Sequence, residues 1–227
     1  MIDDISFQAL LLSFKLSITT TLCLLIIGTP IAFWLATSRN RFKFIIEALI
    51  ALPLVLPPTV LGFYLLILLN PNSFIGSLVF QLTGETILFS FSGLVIGSIV
   101  YSFPYVTQPL TNAFASINPN IIETAKVLNT NPLDRFIHIV LPMAKRGFMT
   151  ASVLGFAHTL GEFGVVLMLG GNIPNKTQVV SIAIYDHVES LNYIQAHWLA
   201  GILLVISFAL LLFIFKINHS FNSVVKL

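Results

Sequence analysis

The sequence predicts an all-α integral membrane protein of about five transmembrane helices, and three observations predict it. Of its 227 residues, 56% are hydrophobic and only 9% are charged. A soluble domain carries about a quarter charged residues, so this chain could not cover a water-facing surface and lipid must be its solvent. Five stretches approach the ~20 apolar residues that a spanning helix needs. The connections between them alternate between basic and nearly uncharged, which sets an orientation.

Each stretch can be justified in order. The first covers roughly residues 16 to 36 and the second 48 to 69. Pro53, Pro57 and Pro58 interrupt the second. Proline removes a backbone donor and kinks or breaks a helix, and either a kink or a break that lines a cavity is tolerated at membrane depth. The third covers roughly 86 to 106, the fourth 147 to 169 and the fifth 198 to 215. Backbone groups cannot stay unpaired in lipid, so each stretch is read as a helix.

Loop charges orient these spans. Arg39, Arg41 and Lys43 lie between the first two, and Lys126, Arg135, Lys145 and Arg146 between the third and fourth. Lys216 and Lys226 follow the fifth. The second-to-third connection has no Lys or Arg, and the fourth-to-fifth has only Lys176. Basic connections stay in the cytoplasm, so the expected orientation is N-out and C-in. Lys15, on the outer side, can snorkel to the interface. The start Met1-Ile2-Asp3-Asp4 is acidic where a secretory signal is basic, and the apolar run is too long for one. Composition does not change along the chain, so residues 1–227 are read as one membrane domain.

Several function classes find no support. No Gly-x-x-x-x-Gly-Lys-Ser/Thr motif is present, so no nucleotide site of that kind is visible. The net charge of +2 makes no case for nucleic acid. Cys23 is the only cysteine and carries no redox information.

The segment from about 111 to 145 is the longest cytoplasmic stretch, and it reads as ordered. Asn118-Pro119 is an N-cap followed by proline at the first helical position. Ile121, Ile122, Ala125 and Leu128 follow at helical spacing. Asn129 then stands where a left-handed residue is wanted. Asn131-Pro132 repeats the start signal, and Leu133, Phe136, Ile137 and Val140 form a second apolar stripe. Two short amphipathic helices with a sharp turn between them are expected.

The residues Glu123-Thr124-Ala125, then Asn129, then Ile139-Val140-Leu141-Pro142 resemble the EAA loop of ABC importer permeases. That pattern is Glu-Ala-Ala, three residues, Gly, nine residues, Ile-x-Leu-Pro, and the spacing here matches throughout. Thr124 replaces Ala and Asn129 replaces Gly; Asn is the next best residue in a left-handed turn. The stretch from 52 to 62 around Pro53, Pro57 and Pro58, the run Gly161-Glu162-Phe163-Gly164, and the segment 171–178 are similar to the molybdate permeases and their sulfate relatives.

The resemblance implies a type I importer permease fold in the bacterial inner membrane, with molybdate or tungstate as cargo and sulfate or thiosulfate as the alternative. It implies a second copy of the chain, a cytoplasmic ATPase dimer that holds ATP and Mg, and a periplasmic or lipid-anchored oxyanion-binding protein. No cofactor and no catalysis are expected on this chain. Glu123, Thr124, Ala125, Asn129, Ile139, Leu141 and Pro142 would couple to the ATPase. Pro53, Pro57, Pro58, Gly161, Glu162 and Gly164 would form a helix break along the path.

Other readings compete at single residues. Glu162 lies some 22 Å along the fourth span at 1.5 Å per residue, with His158 one turn before it and Gly155 and Ala151 continuing the stripe. An ionisable residue in a span points to function by default, but a carboxylate would repel an oxyanion. The reading favoured here is a helix-packing pair near the outer interface, with Gly161 and Gly164 allowing close approach. His187 and His197, near Asp186 and Glu189, follow no zinc spacing and read as a solvated loop. An ion-coupled transporter would need internal repeats and paired intramembrane charges. A membrane hydrolase on His158 and Glu162 would need a nucleophile motif. Neither is visible.

Overall fold

The computed structural model describes residues 4–222, with side chains described to residue 216, and the regular structure it describes is helical. The acidic Asp3 and the tail cation Lys226 lie outside the described residues.

The first span is α1 (Asp4–Thr37), 34 residues long. It begins well before the expected residue 16, and the reason lies in its buried face. Ser6, Ala9, Ser13, Ser17 and Thr20 are small enough to let neighbouring helices close on it. Ser13 Oγ accepts the Val180 amide at 2.7 Å, and Ser6 Oγ pairs with His187 Nε2 at 2.9 Å. Lys15 lies inside this helix, and its Nζ rests 4.6 Å from the Phe91 ring centroid. That is a cation–π contact, made by an exposed side chain.

The second span is two helices, α2 (Lys43–Val55) and α3 (Pro58–Leu69), bent by 113°. The cause is local. A residue before proline is pushed out of the helical region; Leu56 precedes Pro57 and Pro57 precedes Pro58. Both are extended, with ψ of 136° and 135°. Pro58 then occupies the first turn of α3, where its missing N–H does no harm. The choice between kink and break resolves as a break.

A short helix that the loop reading passed over, α4 (Phe74–Thr83), follows. Ser73 caps its start by accepting the Gly76 amide at 3.0 Å, and Gly84 ends it at φ 71°. Next comes α5 (Phe91–Ala115), 25 residues long, which packs most extensively against α1 and also against the fourth span.

The segment after α5 holds α6 (Pro119–Val127), α7 (Pro132–Arg135), a π-helical turn at Phe136–Val140 and α8 (Leu141–Met143). The expected fourth span is again two helices, α9 (Lys145–Leu160) and α10 (Gly164–Gly170), bent by 60°. The small-residue stripe of α9 is its packing face. A Cβ on Gly155 would sit 2.6 Å from Val106 Cγ2, and one on Gly147 would collide with Ala113. A second unexpected helix, α11 (Val180–Glu189), precedes the last, α12 (Tyr193–Asn222).

Among the described residues, α1 and α12 alone are each long and apolar enough to cross a membrane; each bent pair, taken as one span, raises the total to four. The expected third span, α5, falls short of that composition because tyrosine, glutamine, asparagine and proline interrupt its apolar run. Its central place explains this. Leu94, Val106, Leu110 and Phe114 are buried within the bundle, so α5 does not have to match lipid around its whole circumference.

Candidate functional site

Two regions collect the residues singled out from the sequence. The first is the segment 118–145 at one end of the bundle. Asn118 accepts the Asn120 amide at 3.0 Å, and Asn131 accepts the Leu133 amide at 3.1 Å, so both predicted caps form. Asn129 sits at φ 58°, the left-handed conformation its position demanded. The turn is locked by Thr130, whose amide and hydroxyl both donate to the Ala125 carbonyl.

The faces divide differently from the simple stripes. Ala125 is 4% exposed and Val140 is 1% exposed. Phe136 meets the Phe33 ring at 5.4 Å, tying the loop to α1. Val127 and Leu128, by contrast, are 85% and 72% exposed, and Leu133, Ile137, Leu141 and Met143 also face outward. Glu123 is exposed, Thr124 donates to the Asn120 carbonyl at 2.8 Å, Ile139 is half-buried and Pro142 is exposed. The segment is therefore anchored by Ala125, Phe136 and Val140 and presents a second apolar surface to something outside the chain. The π-helical turn, a feature frequent at functional sites, had no signal in the spacing.

The second region is where the two broken spans meet. A Cβ on Gly164 would lie 2.7 Å from Pro58 Cβ, and one on Gly62 would lie 2.8 Å from Met168 Cβ. Only glycine lets α3 and α10 approach so closely. The break in one span thus rests on the break in the other. Pro53 is buried within α2, Pro57 is the extended link, and Gly161 ends α9 at φ −92°.

Glu162, in that second break, is 4% exposed. Its carbonyl accepts from Ser181 Oγ. Its carboxylate oxygens have no hydrogen bond of good geometry among the described residues, although the buried Ser98 hydroxyl of α5 approaches it. The expected pairing of Glu162 with His158 on one continuous helix does not form, because the break separates them. His158 turns instead to α5, where its Nδ1 lies 2.8 Å from Ser102 Oγ and its ring stacks on Tyr105 at 3.8 Å. A cavity of about 570 Å³ opens here, lined by Pro58, Thr59, Tyr101, His158, Glu162 and Gly164 among others. The sequence reading missed Tyr101, Ser102 and Tyr105; the signal available was their polar spacing inside an apolar span.

The solvated loop expected around His187 is a helix instead. His187 and Asp186 in α11 tie distant segments together, while His197 is exposed on α12. Besides the Ser6–His187 bond, Asp186 Oδ2 accepts from Asn172 Nδ2 at 2.7 Å and Gln178 Nε2 at 3.0 Å. The segment 171–178 is thereby held against α11.

Comparison with known proteins agrees with this architecture. The profile of the family described as "Binding-protein-dependent transport system inner membrane component" matches residues 28–220. A molybdenum transport system permease protein ModB from Azotobacter vinelandii is 54% identical over 203 residues, covering 89% of this chain and 90% of that one. A putative molybdenum transport system permease protein YvgM from Bacillus subtilis is 37% identical, covering 92% of each chain. Among solved structures, a bacterial ABC transporter involved in import of the acidic polysaccharide alginate superposes with a TM-score of 0.74 at 15% identity, covering 96% of this chain and 80% of that one. On the extent of the profile match and the identity to these relatives, the chain belongs to the family of inner membrane components of binding-protein-dependent transport systems.

Proposed function

We propose that this chain is the permease of an ABC importer that carries molybdate into the cytoplasm. Identity of 54% over nine-tenths of the chain to a molybdenum permease is the observation that carries the substrate. The exposed apolar surface of α6 to α8 supports a docking role for the loop. Val127, Leu128, Leu133 and Ile137 would meet a groove on the ATPase, with Glu123 at the rim. ATP and Mg would belong to that partner.

In this reading the chain crosses the inner membrane five times, N-out and C-in, with α2–α3 and α9–α10 each counted as one span and α5 as the interior one. The basic connections at 38–42 and 116–146 then face the cytoplasm, and α4 and α11 lie at the outer surface. Two copies would enclose one path, and an oxyanion-binding protein would deliver cargo to the outer face. The spans hold no cluster of Arg or Lys, so the path would be a weak conduit and the binding protein would set affinity.

Deleting the gene tests this. Cellular molybdenum and molybdenum-enzyme activity should fall at low external molybdate and recover at high external molybdate, with sulfate uptake nearly unchanged. A sulfur auxotroph with normal molybdenum would contradict the substrate while leaving the family intact.

A further inference from the structure

One polar surface is explained neither by lipid nor by the bundle core. Tyr101, Tyr105, Gln108 and Asn112 follow at intervals of four, three and four residues, so they share one face of α5 over about 16 Å. All four are partly or fully exposed, whereas Ser102 and Thr107 on the other faces are buried, as is Ser98 one turn before Tyr101. The cavity at the double break opens beside Tyr101, and a second cavity of about 310 Å³ opens beside Gln108 and Asn112. Hydrocarbon offers such groups no partner, so the stripe faces water or a passing solute.

His158 stands at the Tyr101–Tyr105 end of this stripe and is held on three sides. Ser102 engages Nδ1, Tyr105 stacks on the ring, and the Tyr101 ring lies 4.8 Å away at a tilt. Ser102 Oγ also lies 3.1 Å from the Thr159 hydroxyl, so Thr159 can donate to Ser102 while Ser102 donates to Nδ1. In that arrangement Nε2 carries the ring hydrogen and is the donor left for the cavity. Thr59, Tyr101 and His158 line that cavity with groups that can donate, beside the buried Glu162.

We infer that His158 is an anion-binding contact of the translocation path, its Nε2–H binding a tetrahedral oxyanion dianion as it passes the double break. This rests on the reading of the chain as an oxyanion permease. A conduit must bind well enough to admit its cargo and weakly enough to release it. A single fixed neutral donor meets both demands where an arginine fork would hold the dianion.

The test is uptake of radioactive molybdate by the assembled importer in liposomes, with ATP hydrolysis read in parallel. His158→Phe keeps the stack on Tyr105 and removes the donor; uptake should fall at least tenfold while assembly and stimulated ATP hydrolysis persist. His158→Gln restores an N–H near the same place and should recover much of the loss. Ser102→Ala frees the tautomer and should lower uptake severalfold. Wild-type uptake in both His158→Phe and Ser102→Ala overturns the inference. If His158→Phe fails to assemble, Ser102→Ala decides: a severalfold loss of uptake with assembly intact supports the inference, and wild-type uptake overturns it. A wild-type importer that carries sulfate and not molybdate overturns the substrate reading, and the same variants read with sulfate then decide the role of His158.

Discussion

The loop at 118–145 and the double break are both interruptions of long helices, yet they are held in opposite ways. Hydrogen bonds across two to five residues fix the loop: Asn118 to Asn120, Asn131 to Leu133, Thr130 to Ala125. Contacts between distant segments fix the double break: Gly164 on Pro58, Gly62 on Met168, Ser181 on the Glu162 carbonyl. A locally fixed element moves as a unit and suits docking. A tertiary junction can rearrange while each helix keeps its own hydrogen bonds, which suits a path that must open and close.

This contrast can be broken most severely inside the loop. Ala125→Asp would bury a carboxylate at a site that is 4% exposed, at a cost of several kcal/mol. It should unseat α6 from the bundle, abolish uptake and raise proteolysis between residues 118 and 145. Leu128→Asp, at a 72% exposed position, should leave proteolysis unchanged but reduce copurification of the ATPase. Equal effects on both readouts would mean that the loop has no separate docking face.

Gly164→Leu is the next largest. The new side chain would begin 2.7 Å from Pro58 Cβ, and overpacking of this kind costs about 1–3 kcal/mol. Uptake should fall more than tenfold with the loop's protease resistance unchanged. Loss of loop protection would show that the two regions are one cooperative unit.

Smaller effects sharpen the loop side. Asn118→Ala removes the cap of α6, worth about 1 kcal/mol, and should halve uptake or lower it slightly further. Asn129→Gly relieves a positive φ of 58° and should keep uptake within twofold of wild type, with stability changed by no more than a few tenths of a kcal/mol. A large loss would mean that the Asn129 side chain itself touches the ATPase.

The same contrast explains what could be read from the residues. The caps at Asn118 and Asn131 and the left-handed Asn129 were legible because their signals are local. The break at Pro57-Pro58 was legible as an interruption for the same reason, although its 113° bend was not. The break at 161–163 has no proline, and its 60° bend is set by α10 closing on α3. Hence Glu162 and His158 were placed on one face of a helix that ends between them, at Leu160. Likewise, α4 and α11 passed for loops because neither is long enough to span. The inward seat of Ala125 could not be separated from Leu128 by periodicity, since both fall on one stripe.

Orientation underlies every statement about which side each region serves. In a Cys23→Ser background, single cysteines at Asn72 and Asn175 should react with an impermeant reagent from outside, and those at Asn40 and Asn129 should not. Labelling at Asn129 from outside would place the loop on the wrong side for an ATPase.

The most direct measurement of the central claim is transport by the purified permease, its ATPase and its binding protein in liposomes, with ATP on the ATPase side. Molybdate should accumulate on that side only with hydrolysable ATP, and a large excess of sulfate should compete poorly. Accumulation independent of ATP, or of sulfate in preference to molybdate, would contradict the account.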